Sequence, residues 1–149
     1  MDALVERGVG RVTVLDLSAE ALREVRSRIG ERPDVDLVVG VVRAYRSNAP
    51  MDVWHDRAVL HFLTERADRD AYLATLFDTV AADGRVVIAA FAPDGPESCS
   101  GLLVRRYAVE ELVELLGDRF ELTSAERREH TTPWGAVQPF TVVVARRRG

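Results

Sequence analysis

Apolar positions along this chain switch repeatedly between two spacings. Met1 to Gly8, MDALVERG, has the character of the last turns of an amphipathic helix stopped by glycine. Arg11 to Leu17, RVTVLDL, is a β-branched run that predicts a buried strand. Ala19 to Ile29 then sets Ala21, Leu22, Val25 and Ile29 at helical spacing, with Ser18 placed to cap the start and Gly30 and Pro33 ending it. Val35 to Val39 predicts the next strand, closed by Gly40. Asp52 to Trp54 predicts a short strand that ends in three polar side chains, His55, Asp56 and Arg57. The run Ala58 to Leu63 suits the first turns of a helix. Ala67 to Ala82 places Tyr72, Leu73, Leu76, Phe77 and Val80 on one helical face, and Asp83-Gly84 turns into Arg85 to Phe91, the most hydrophobic strand. Ala92 to Gly101 reads as loop, Val109 to Leu116 as a helix stopped by Gly117. Phe120 to Arg128 and Phe140 to Arg147 read as two strands joined by HTTPWGAVQP.

Strand and helix therefore alternate up to residue 117, and two strands follow without a helix between them. Alternation implies a parallel sheet covered on both faces, so the class is α/β. The closing pair implies an antiparallel hairpin. In an open parallel sheet, ligands bind beyond the carboxyl ends of strands, which draws attention to Asp16 and to the His55-Asp56-Arg57 cluster.

Composition narrows the function more than the fold. The 149 residues amount to one ordinary domain, and the net charge of -4 argues against a nucleic-acid partner. The triplet Arg146 to Arg148 reads as a solvated tail. Cys99 is the single cysteine, with no surrounding motif that would make it a catalytic thiol, and His55, His61 and His130 lack metal-ligand spacing. Nothing resembles a signal peptide or a membrane span, so a cytoplasmic protein is expected.

VTVLDLS, VDLVVG, MDVWHDRAVLHFL, DGRVVIAAFAP and the closing strand pair together make the chain resemble a class I S-adenosylmethionine-dependent methyltransferase. WHDRAVLHFLTE and HTTPWGAVQPF are particularly similar to a bacterial branch of that superfamily. The resemblance implies a Rossmann-like, mostly parallel sheet whose last strand is antiparallel and slips between its two predecessors. It implies S-adenosyl-L-methionine as cofactor and methyl transfer to a small-molecule acceptor. Asp16 takes the ribose-binding position in such a scheme, with Leu17 beside it, and Val41, Val42 and His55 complete the cofactor set. A carboxylate accepting both ribose hydroxyls makes strong, charge-assisted bonds; Asp16 as a helix-capping or solvated residue is the plain alternative. His55, Asp56 and His61 are the candidates for a catalytic base, and His61 is as readily a core histidine. Arg57 either holds the acceptor or pairs with Asp56. His130 and Trp134 are further candidates for contacts to the acceptor, and Trp134 alternatively packs at the base of its loop.

The chain departs from the family pattern in two places. Family members begin with a strand and a glycine-rich loop, and this chain starts inside the helix that follows; Gly8-Val9-Gly10 precedes the second strand and cannot replace that loop. The first strand is the middle one of the sheet, so its absence is expected to leave two strand edges unpaired, through which a second copy would pair. The turn after the third strand is Gly40-Val41-Val42, where an acid that accepts the adenine amino hydrogen is usual. The expectation is a single, amino-terminally incomplete methyltransferase domain over residues 1–149, impaired in cofactor binding. The alternative is a non-catalytic, methyltransferase-like binding or dimerisation module.

Overall fold

The computed structural model describes residues 6–149, so the helical reading of Met1 to Val5 lies outside the described residues. The chain divides into two compact units, residues 1–45 and 46–149.

In the first unit, β1 (Val12–Asp16) and β2 (Val35–Val39) run parallel, Val12 beside Val35 and Asp16 beside Val39. Helix α1 (Ala19–Ile29) connects them and packs on both. Its boundaries follow from caps the sequence supplies. Ser18 Oγ accepts the Ala21 amide at 3.1 Å, and Gly30, at φ +70°, donates its own amide to the Arg26 carbonyl. Among the described residues β1 pairs with β2 alone, so its other flank presents unpaired backbone groups.

The second unit is built on a mixed sheet in the order β3 (Met51–Arg57), β4 (Val80–Phe91), β8 (Val137–Arg147), β7 (Phe120–Thr131). β3 and β4 are parallel; β8 is antiparallel to both β4 and β7, and lies between them. That is the strand insertion the family resemblance implied. Helix α2 (Arg66–Thr79) packs on β3 and β4, and α3 (Val109–Leu116) on β7 and β8. Tyr72 and Leu76 from α2, Leu112 from α3, and Val86, Ile88, Phe91 and Val143 from the sheet are fully buried. A small hairpin, β5 (Ser98–Cys99) with β6 (Leu102–Leu103), occupies part of the stretch expected to be loop. β3 pairs only with β4 among the described residues, and Val53 on it is 58% exposed.

Four boundaries differ from the sequence expectation. β3 continues through His55, Asp56 and Arg57 because each of them pairs with β4, at Val87, Ile88 and Ala89. A 3-10 turn, Leu60–Phe62, stands where the first turns of a helix were expected. α2 stops at Thr79, three residues early, since Val80 has already entered the sheet opposite Met51; Asp83, at φ +61°, lies in the irregular stretch between Val80 and Arg85 where the register with β3 shifts. The terminal hairpin is longer than expected, its turn shortened to the residues between Thr131 and Val137, which face each other as the last pair.

The basic triplet is also not a free tail. Arg147 Nη1 donates to the Phe77 carbonyl at 2.9 Å and to the Val80 carbonyl. These carbonyls lie at the carboxyl end of α2, where helical partners run out. The guanidinium of Arg147 stacks 3.9 Å from the Phe77 ring centre, and that of Arg119 lies 4.0 Å from the same centre. Arg146 pairs with Asp83 and Glu121.

Candidate functional site

In the first unit, Asp16 sits at the carboxyl end of β1 with its side chain exposed. Its Oδ1 accepts the Ser18 amide at 2.8 Å, and Ser18 rather than Asp16 caps α1. Oδ2 meets no protein donor among the described residues, which leaves a carboxylate oxygen open to a ligand hydroxyl. Leu17 is 72% exposed and Val41 38%. Val42 opens a short 3-10 turn, Val42–Ala44. An open acid next to exposed apolar side chains suits a ribose and a flat base, so these residues fit the nucleoside part of the expected cofactor.

In the second unit the end of β3 sorts its polar side chains by strand alternation. Asp56 points inward and is 4% exposed, whereas His55 and Arg57 face outward. That alternation corrects the expected Asp56–Arg57 pair: among the described residues Arg57 makes no ion pair, and its guanidinium stands 5.9 Å from the Phe140 ring centre. Asp56 is instead saturated from within. It accepts the Val59 amide (2.9 Å), the Leu60 amide (3.1 Å) and the Tyr72 hydroxyl (2.6 Å). Burial pushes its carboxyl above the usual carboxylate range, and the Tyr72 hydroxyl and the two amides partly oppose that push.

His55 lies below the ordinary histidine value, first through desolvation, with the nearby Asp56 pulling the other way. His61 is fully buried, its ring 4.5 Å from Phe62 and 4.6 Å from Phe91. Neither ring nitrogen finds a protein partner, and burial alone pushes the imidazole down to about 4. Of the three base candidates, then, His55 alone is open to a ligand; His61 occupies the core position the sequence also allowed. His130 is exposed on β7 opposite Gln138. Trp134 is 80% exposed in the hairpin turn, which excludes the packing role considered for it.

A hollow of about 410 Å³ in the same unit is lined by Thr64, Glu97, Leu103, Val104, Arg105 and Arg106. Of its arginines, Arg105 pairs with Glu111 and Arg106 with Glu97.

No family model and no curated protein matches the chain. Solved structures do. Burkholderia thailandensis 1,6-didemethyltoxoflavin-N1-methyltransferase, with bound 1,6-didemethyltoxoflavin and S-adenosylhomocysteine, is 28% identical; the match covers 99% of this chain and 65% of that one, with a TM-score of 0.78. This chain therefore spans about two thirds of that enzyme's length. An S-adenosylmethionine-dependent methyltransferase of Methanosarcina mazei matches at TM-score 0.78 and 15% identity, covering 98% of this chain and 86% of the other. NodS, an N-methyltransferase of Bradyrhizobium japonicum solved with S-adenosylhomocysteine, matches at 0.74 and 13%, covering 93% and 67%. The fold is that of the class I S-adenosylmethionine-dependent methyltransferases.

Against the methyltransferase pattern, two groups of residues escaped the sequence reading. Tyr72 looked like one more apolar position on a helical face, although its hydroxyl is what closes the Asp56 network. Arg105 and Arg106, which line the hollow, follow the segment read as loop, and adjacent arginines after a proline- and glycine-rich stretch were the available signal. No helix among the described residues is long and apolar enough to cross a membrane.

Proposed function

We propose that residues 1–149 act as a cytoplasmic methyltransferase domain that uses S-adenosyl-L-methionine to methylate a small molecule. The observation that carries this reading is the 28% identity, over 99% of the chain, to an enzyme holding S-adenosylhomocysteine and its acceptor. Asp16 accepts ribose hydroxyls through its free Oδ2, and Leu17, Val41 and the amide of Val42 border the base. When bound, the cofactor supplies an electrophilic methyl on a sulfonium; an acceptor lone pair forms the new bond as the carbon–sulfur bond breaks. This chain's own task is then alignment, which is worth roughly 7–11 kcal/mol in well-oriented reactions. His55, neutral near physiological pH, takes the proton released by an N–H or O–H acceptor. Arg57, His130 and Trp134 are proposed to contact the acceptor.

The reading includes weak cofactor binding, because Gly40-Val41-Val42 offers no acid to the adenine amine. Calorimetry with S-adenosylhomocysteine tests both parts. A dissociation constant above the micromolar range, weakened further by Asp16→Ala, is expected. Micromolar or tighter binding overturns the impairment, and no heat at millimolar ligand overturns the cofactor role. The unpaired flank of β3 with exposed Val53 supports a second reading, a non-catalytic module that pairs with a second copy through its sheet edge. A dimer by size-exclusion chromatography that Val53→Lys dissociates, with no cofactor binding, would favour it.

A further inference from the structure

Ala58 immediately follows β3 and has φ +65°, in the left-handed region where a side chain is strained. Its amide still donates to the Ala89 carbonyl at 2.8 Å, so the strain falls where the strand turns away from β4. Something must hold that turn, since an alanine does not choose it. The central holding groups, the Asp56 carboxylate and the Tyr72 hydroxyl, are buried. Asp56, two residues upstream, takes the Val59 amide on Oδ1 and the Leu60 amide on Oδ2. The Tyr72 hydroxyl, reaching across from α2, donates to Oδ2 at 2.6 Å and itself accepts from Trp54 Nε1 at 3.1 Å. Trp54 and Tyr72 meet edge to face, ring centres 5.8 Å apart, and Tyr72 is fully buried. Indole, phenol, carboxylate and two amides thus form one chain of bonds across the strained residue.

We propose that Tyr72 is a positioning residue: acting through Asp56, it clamps the left-handed turn at Ala58 and so fixes how His55 and Arg57 are presented at the end of β3. Tyr72 touches no reacting group. Its hydroxyl seats the carboxylate, the carboxylate seats the Val59 and Leu60 amides, and the turn between them sets the direction in which the strand stops. Loss of the hydroxyl leaves the part-buried Trp54 indole N–H and one buried lone pair of the Asp56 carboxylate without partners, and the turn relaxes toward a right-handed conformation. The proposal rests on the methyltransferase reading only in giving His55 and Arg57 a task; the clamp itself is independent of it.

The test is amide exchange by NMR on the full chain, without cofactor. In Tyr72→Phe the Val59 and Leu60 amides should exchange at least about tenfold faster, while β4 and β8 amides keep their protection. The His55 ring should titrate closer to the ordinary histidine value. Adding Ala58→Gly, which removes the strain, should restore both. Unchanged exchange in Tyr72→Phe, a uniform loss of protection throughout, or no rescue by Ala58→Gly overturns the clamp. Should Tyr72→Phe not fold, the wild-type chain decides: the Val59 and Leu60 amides must be as protected as those of β4, and exchange as fast as in the 92–97 loop refutes it. Failure to bind S-adenosylhomocysteine would leave these readouts standing, and their failure would leave the proposed methyl transfer standing.

Discussion

Acidification offers a sharp test of how His61 is buried. The imidazole is closed off from solvent, lies against Phe62 and Phe91, and has a value near 4 with burial as its cause. An unfolded histidine titrates at about 6.5. The folded value is depressed, so between these two the unfolded chain binds the extra proton. Stability from this residue is full above about pH 6.5 and is lost as pH falls toward 4. The gap corresponds to about 3 kcal/mol in total, of which about 2.5 should be gone between about pH 7 and about pH 4.5. Asp56, with its raised value, contributes in the opposite direction, and His55 in the same one. A His61→Leu variant keeps both, so the difference between the two proteins isolates His61. Leucine is similar in volume, and at neutral pH the variant should lie within about 1.5 kcal/mol of wild type. Urea unfolding across the pH range is the measurement. The wild-type curve should fall away from the variant's by about 2.5 kcal/mol on acidification; parallel curves would show that His61 is hydrated or partnered in the folded chain.

Two further substitutions probe packing far from the strand end. Arg147→Ala removes the stack on Phe77 and two bonds to carbonyls at the end of α2, and should cost about 2 kcal/mol in urea unfolding; Arg147→Lys, which keeps the charge but not the planar fork, should recover less than half of it. Gly84→Ala would bring a Cβ within 2.8 Å of the Ala81 carbonyl oxygen and of Val80 Cγ1. Because one of those is backbone, the strain should cost about 1–3 kcal/mol and lower the melting temperature by at least about 3 °C; an unchanged melt would refute the stated close approach.

Much of the fold was legible because apolar periodicity and caps agreed. α1, α3 and β2 begin and end where Ser18, Gly30, Gly40 and Gly117 said they would, and the run ending at Phe91 is an interior strand. The misjudged stretches share a cause. β3 beyond Trp54 and β7 beyond Arg128 carry charged side chains, and their strand character comes from backbone pairing with a neighbour, which no local pattern records. β7 holds its charges in place by ion pairs such as Arg127 with Asp94 and Arg128 with Glu126. Likewise, the sequence identified His55, Asp56, Arg57 and His61 as a group, but which of them turned inward depended on a strand being three residues longer. Tyr72 was visible only as a buried position, since periodicity tells what avoids water and not which polar atom it meets there.

The order β3-β4-β8-β7 has a consequence for biosynthesis. As the polypeptide leaves the ribosome, β3 and β4 can zip together early, but β7 emerges with no permanent neighbour and must wait for β8. Until β8 has emerged, both β7 and one side of β4 remain exposed main chain, and the Arg147 guanidinium that closes the foot of α2 is not in place. Nascent chains whose β8 is still inside the exit tunnel should therefore be protease-sensitive and prone to clump, while those in which β8 has emerged should resist.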